Sequence, residues 1–140
     1  MHLSYNGETF YQNHKKAVHT HGTTSLGNLD NTVLALGGYK VNNPELELYD
    51  IGTDTWTVKT PYPYCTFIYR YAVVSRGSSV YIIGGQCNGG VYASRIAKYT
   101  EDEWTEVGNL QTGKYAPRAI SNGDRFYVVG GRGTYSSTQP

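Results

Sequence analysis

Three apolar runs recur along the chain, and each is closed by two glycines. They are Thr32-Val33-Leu34-Ala35-Leu36-Gly37-Gly38, Ser79-Val80-Tyr81-Ile82-Ile83-Gly84-Gly85 and Arg125-Phe126-Tyr127-Val128-Val129-Gly130-Gly131. Gly38 and Gly85 are 47 residues apart, and Gly85 and Gly131 are 46 apart. A fixed period of this length marks units that cannot bury a core alone and must stack on one another. The first two glycine pairs are followed by a tyrosine and then a tryptophan: Tyr49 and Trp56, then Tyr99 and Trp104. Tyr5 and Phe10 fit the same slots with no glycine pair before them.

Each unit reads as four short strands. In the middle unit, Tyr71 to Val74 predicts a first strand and Arg76-Gly77-Ser78-Ser79 a turn in which glycine supplies the unusual backbone angle. Val80 to Ile83 is continuously apolar, as a strand covered on both faces should be. Arg95 to Tyr99 alternates polar and apolar, Thr100 to Glu103 turns, and Trp104 to Val107 predicts the outer strand. No segment carries a helical stripe, and glycine, β-branched and aromatic residues all oppose helix. The predicted class is all-β: four-stranded antiparallel sheets repeated every 45–50 residues or so, the pattern of propeller blades. A β-sandwich also has short strands, but it does not repeat the order turn, apolar run, Gly-Gly, Tyr, Trp.

That order resembles the kelch repeat, over nearly the whole chain from about Leu3 to Gly131. The resemblance implies a partial kelch-type β-propeller. Residues 1–20 would be the back half of one blade with its connection, 21–60 and 61–112 two blades, and 113–140 the front half of another. It also implies structural roles. Gly37-Gly38, Gly84-Gly85 and Gly130-Gly131 would close second strands, while Tyr49, Trp56, Tyr99 and Trp104 would pack between blades. Phe10 departs from the pattern by standing where tryptophan is usual, and the opening strand of the first unit, His21 to Gly27, is weakly apolar. A propeller closes with ~4–8 blades. The remaining blades are therefore expected from a longer chain or from further copies.

Composition narrows the function classes. Charged residues are 16% of the chain and aromatics 14%, with fourteen tyrosines, which describes a chain that buries side chains. A net charge of +1 gives no electrostatic reason to expect nucleic acid or an anionic membrane. No apolar run is long enough to span a bilayer as a helix.

The candidate chemistry is sparse. Gly84 to Gly90 is glycine-rich but lacks the Lys-Ser/Thr ending of a phosphate loop, and no helix is predicted after it. His14, His19 and His21 cluster without nearby cysteine or carboxylate to complete a metal set, so solvated or hydrogen-bonding histidines are the expectation. Glu101, Asp102 and Glu103 sit at a predicted hairpin tip, the ordinary place for solvated charge. The resemblance also admits propeller enzymes, such as a copper radical oxidase of the galactose-oxidase type or a sugar epimerase, and an extracellular kelch module of a multidomain protein. Cys65 and the tyrosines match no copper-oxidase motif. A non-enzyme without cofactor or metal is the expectation.

The resemblance instead implies a protein-binding surface, built from the loops between second and third strands and the connections between blades. One connection is unusual: Pro61-Tyr62-Pro63-Tyr64-Cys65-Thr66-Phe67-Ile68-Tyr69-Arg70. Tyrosine and arginine are enriched in binding hot spots, and two prolines lower the ordering cost. Candidate contact residues are Tyr62, Tyr64, Phe67, Tyr69 and Arg70 here, with Lys114, Tyr115 and Arg118 in the next connection. The other loops add Tyr39, Lys40, Asn42 and Asn43, then Gln86, Asn88 and Tyr92, then Arg132 and Tyr135. The function expected is a protein-interaction module, as an adaptor, scaffold or substrate-recruiting part. A turn centred between Gly77 and Ser78 sets Cys87 opposite Ile68, three residues from Cys65. A disulfide is open to them if their Cα atoms approach within ~7 Å; a reducing compartment would leave two thiols. The compartment stays open, cytoplasmic or extracellular.

Overall fold

A computed structural model describes the backbone of residues 2–5, 8–11 and 22–25 and the whole of residues 32–37 and 44–133. Strand-forming residues build two four-stranded meanders. The first comprises β3 (Gly22–Ser25), β4 (Thr32–Leu36), β5 (Leu46–Asp50) and β6 (Thr55–Lys59), in that spatial order. The second comprises β7 (Ala72–Arg76), β8 (Ser79–Ile83), β9 (Arg95–Thr100) and β10 (Glu103–Asn109). Two hairpins flank them. β1 (His2–Tyr5) pairs with β2 (Glu8–Tyr11), and β12 (Arg118–Asn122) pairs with β13 (Arg125–Val129). All these pairings are antiparallel, and the architecture is a partial kelch-type β-propeller. The first strands of successive units are neighbours, β3 against β7 and β7 against β12.

The core lies between blades. Because side chains alternate along a strand, β8 serves two cores at once. Val80 and Ile82 join Leu34, Leu36 and Leu46 of the first blade, with Tyr62, Ile68 and Tyr71 of the connection between them. Ile83 and Tyr81 turn the other way and meet Ala119, Phe126 and Val128 of the β12–β13 hairpin. Burial of each such side chain contributes ~1.5–3 kcal/mol.

The glycine pairs let a connection pass close to the strand end. A Cβ on Gly37 would stand 2.9 Å from the carbonyl oxygen of Ile68, and one on Gly84 would stand 2.9 Å from that of Lys114. Both glycines have left-handed φ, +59° and +65°, a conformation that costs other residues free energy. Gly38 lies outside the described residues.

The directly opposed Tyr–Trp pairs are Tyr49 with Trp56 and Tyr99 with Trp104. The N-terminal hairpin differs: Tyr5 faces Glu8, and Phe10 faces Leu3. Its pairing is centred one residue earlier than the matching spacing implies, so Tyr5 and Phe10 do not form the same cross-strand pair.

Candidate interaction surface

Antiparallel meanders put the second-to-third-strand loops and the inter-blade connections at one end of the sheets. At that end the ladder between first and second strands breaks at the glycines and then resumes in the same register. Tyr69 bridges Gln86, and β11 (Lys114–Tyr115) pairs with β14 (Arg132–Gly133), Tyr115 opposite Arg132. Tyr69 and Gln86 exchange backbone hydrogen bonds, the Tyr69 N–H to Gln86 at 3.2 Å and the Gln86 N–H to Tyr69 at 2.8 Å. The Tyr69 hydroxyl also donates to Gln86 Oε1 at 2.6 Å.

Residues 61–70 are fastened at several further points. Cys65 and Cys87 form a disulfide, with Cα atoms 5.7 Å apart. The Phe67 N–H donates to Asn88 Oδ1 at 3.2 Å, and the Tyr62 N–H donates to the Pro44 carbonyl at 3.0 Å. The next connection is tied in turn, since the Gly85 N–H donates to Lys114 and the Ala116 N–H to Arg70, both at 2.8 Å. Arg70 and Ala116 occupy equivalent places in successive connections, and both are left-handed at φ 56° and 52°. For non-glycine residues this conformation persists only where the surroundings hold it.

Several sequence candidates meet on this face. Arg70, Asn88, Arg118 and Arg132 are exposed, while Tyr64, Phe67, Tyr69, Gln86, Tyr92, Lys114 and Tyr115 are half-buried. Tyr115 is the hub. The Tyr92 ring lies 5.3 Å from it, the Tyr69 ring meets it edge-on at 6.3 Å, and the Arg70 guanidinium stands 5.8 Å from its centroid.

Tyr62 is a correction. It is 2% exposed and forms part of the inter-blade core, edge-on to Trp104 at 5.0 Å, so it offers no contact surface. Burial pushes its phenol up to about 12. The backbone bond to Pro44 draws it inward, leaving Tyr64 as its outward neighbour. Tyr39, Lys40, Asn42, Asn43 and Tyr135 lie outside the described residues, as do His14, His19 and His21. Among the described residues, no group of three His, Cys, Asp or Glu side chains could hold a metal, and no helix is long and apolar enough to cross a membrane.

Arg95 belongs to this end of the blade, although strand alternation alone did not bring it forward. A cleft of about 390 Å³ is lined by Tyr64, the disulfide, Tyr92, Arg95 and Asn109, among others. The Arg95 guanidinium covers the Tyr64 ring at 4.5 Å, and its Nε–H donates to Glu106 at 2.7 Å. Glu106 also accepts from Asn109 at 2.9 Å. In a regular strand, residues three apart face opposite ways. The bulge between Glu106 and Gly108 inserts one residue and brings Glu106 and Asn109 to the same side. Both bonds hold the Glu106 carboxyl below its ordinary range, Arg95 contributing most. The one cue in the sequence is the length of the segment from Trp104 to Asn109, longer than the matching Trp56 strand.

The opposite edge of the blade joins it to the preceding one. Trp104 Nε1–H donates to the Thr60 carbonyl at 2.9 Å, and the Thr60 N–H donates to Asp102 at 3.0 Å. The Asp102 carboxyl is lowered, first by Thr60 and then by the Tyr99 hydroxyl.

Comparison with characterised sequences agrees with this architecture. No family model matches the chain. The chain is 26% identical over 111 residues to Kelch-like protein 25 of Xenopus tropicalis, covering 76% of this chain and 18% of that protein. It is 28% identical over 126 residues to Kelch repeat and BTB domain-containing protein 2 of cowpox virus (strain GRI-90 / Grishak), covering 75% and 22% respectively. Kelch-like protein 40 of Mus musculus matches at 27% over 113 residues, covering 76% and 18%. The chain spans about a fifth of the length of these relatives.

Proposed function

We propose that this chain, a kelch-repeat protein, is a non-catalytic protein-interaction module whose partner docks on the face built around Tyr115, serving an adaptor or substrate-recruiting role. The observation that carries the reading is the preorganisation of residues 61–70. The disulfide, the Tyr69–Gln86 bridge and the Asn88 bond hold the loop in place before any partner arrives. Ordering such a loop on binding would otherwise weaken the complex, and tyrosine and arginine offer area with a polar handle. The kelch-like names of the relatives support an interaction role.

Affinity capture with the 140-residue chain, followed by a Tyr64→Ala/Arg70→Gln variant, tests it. The variant should lose captured partners while keeping the near-ultraviolet spectrum of the parent. Substituting Glu101 and Glu103 at the other end should leave capture intact. Retention of every partner by the loop-face variant removes this surface from the function.

A second reading has its own support. The Cys65–Cys87 bond fits an oxidising compartment, so the module serves in a secreted or surface protein. Thiol counting on protein isolated from its natural source decides between the two settings.

A further inference from the structure

The contact between blades repeats step by step along the chain, and its last step is uncovered. The second strands β4, β8 and β13 align residue for residue, so Leu34 and Leu36 correspond to Tyr81 and Ile83, and these to Tyr127 and Val129. Leu34 and Leu36 pack with Val80 and Ile82 of the next blade. Tyr81 and Ile83 pack in turn with Phe126 and Val128 of the next hairpin. Tyr127 and Val129 meet no further blade among the described residues. With Ile120 they form an apolar face, 45%, 59% and 64% exposed respectively.

The first blade shows the complementary face. Val33 and Ala35 of β4 correspond to Val80 and Ile82 of β8, and by strand alternation they point away from Leu34 and Leu36. Val80 and Ile82 are each 1% exposed beneath those leucines, whereas Val33 and Ala35 are only half-buried. The two hairpins are complementary as well. β12–β13 stands as a first and second strand, and among the described residues β13 lacks the third strand that β9 supplies to β8. β1–β2 precedes β3 as β5–β6 precedes β7, so it stands as a third and fourth strand, and β1 lacks a second strand beside it. Open strand edges of this kind are templates for pairing with another chain.

We infer that two copies of this chain close one ring head to tail. β1 of each copy pairs with β13 of the other, and Tyr127 and Val129 of each cover Val33 and Ala35 of the other. The composite sheet β12–β13–β1–β2 then repeats the order β7–β8–β9–β10 of the middle blade. The new contact continues one that the chain already makes twice within itself. Blade number selects a second copy as the partner. The 140 residues hold half a blade, two blades and half a blade, about three in all, which is below the ~4–8 of a closed propeller. Two copies reach about six, and three overshoot at about nine. The joined faces differ from one another, and a contact of that type stops growing only where its rotation closes a ring. This assembly stands apart from the loop-face reading and does not depend on it.

Sedimentation velocity of the 140-residue chain, from about 1 to 200 µM, tests it. The expected result is a reversible shift from one chain mass to two, with no larger species, and a urea midpoint that rises with chain concentration. Val129→Glu and Tyr127→Glu act on residues exposed in the single chain. Each should weaken association at least ~10-fold while keeping the near-ultraviolet spectrum of the parent. Ala35→Glu, on the complementary face, should weaken it likewise, and Glu101→Gln, at a hairpin tip, should leave it unchanged. Val129→Ala costs little at high dilution, where β13 is exposed, and its deficit should grow as the pair forms. A chain that stays single at ~200 µM, as it would if blades of a longer chain are what covers β13, overturns the inference. So does a trimer, an open-ended series of masses, or a pair indifferent to all three glutamate substitutions.

Discussion

β8 and β13 are the same strand written twice. Ser-Val-Tyr-Ile-Ile-Gly-Gly and Arg-Phe-Tyr-Val-Val-Gly-Gly share length, pattern and the ending that lets a connection pass. Yet Ile83 is 1% exposed and its counterpart Val129 is 59% exposed. The difference lies in the neighbours. β8 has a partner strand on each side and a core on each face, whereas β13 pairs with β12 and buries only Phe126 and Val128. Burial in a stacked-unit protein belongs to the stack, and an apolar strand states only what its neighbours must cover.

The sharpest way to break that comparison is to cut both strands alike. Ile83→Ala should destabilise the chain by about 3–4 kcal/mol in urea unfolding, the range for aliphatic truncation in a packed core. Joint replacement of Cys65 and Cys87 by serine comes next, at roughly 3 kcal/mol for a closed loop of this size. It tests whether the middle blade depends on the fastening of its connection, and reduction of the parent should reproduce the loss.

Trp104→Phe removes the indole bond to Thr60, which the half-blade lacks. The expected loss is about 1–2 kcal/mol, because the Thr60 carbonyl is left without this donor. Asp102→Asn acts at the same junction through pH. A carboxyl held below its unfolded value of about 3.8 stabilises the fold above that pH, and the contribution disappears as pH falls through the lower folded value. The parent should therefore lose stability more steeply than the asparagine variant as pH drops below ~4. The smallest effect belongs to Val129→Ala, within about 0.5 kcal/mol for an exposed site. A loss equal to that at Ile83 would mean that something covers β13 in solution.

The proposed interaction surface was legible in part, for a local reason. Arg70, Tyr115 and Arg132 were visible because loop composition and spacing alone brought them forward. Tyr62 was misassigned because its loop reads as exposed, while a backbone bond to Pro44 and the edge of Trp104 draw its ring into the core. Arg95 was missed because a bulge in a neighbouring strand, which alternation does not announce, supplies its partners.

What the sequence determined is the unit: its period, its four strands, its glycine ends and the Tyr–Trp pairs of the two full blades. These follow from backbone preference and two-residue alternation, which act over a few residues. The tertiary structure decided which copies of the unit are buried and which carboxylates meet which arginines. It also decided that Cys65 reaches Cys87. Those outcomes depend on residues distant in sequence meeting across blades, and neither period nor propensity carries that information.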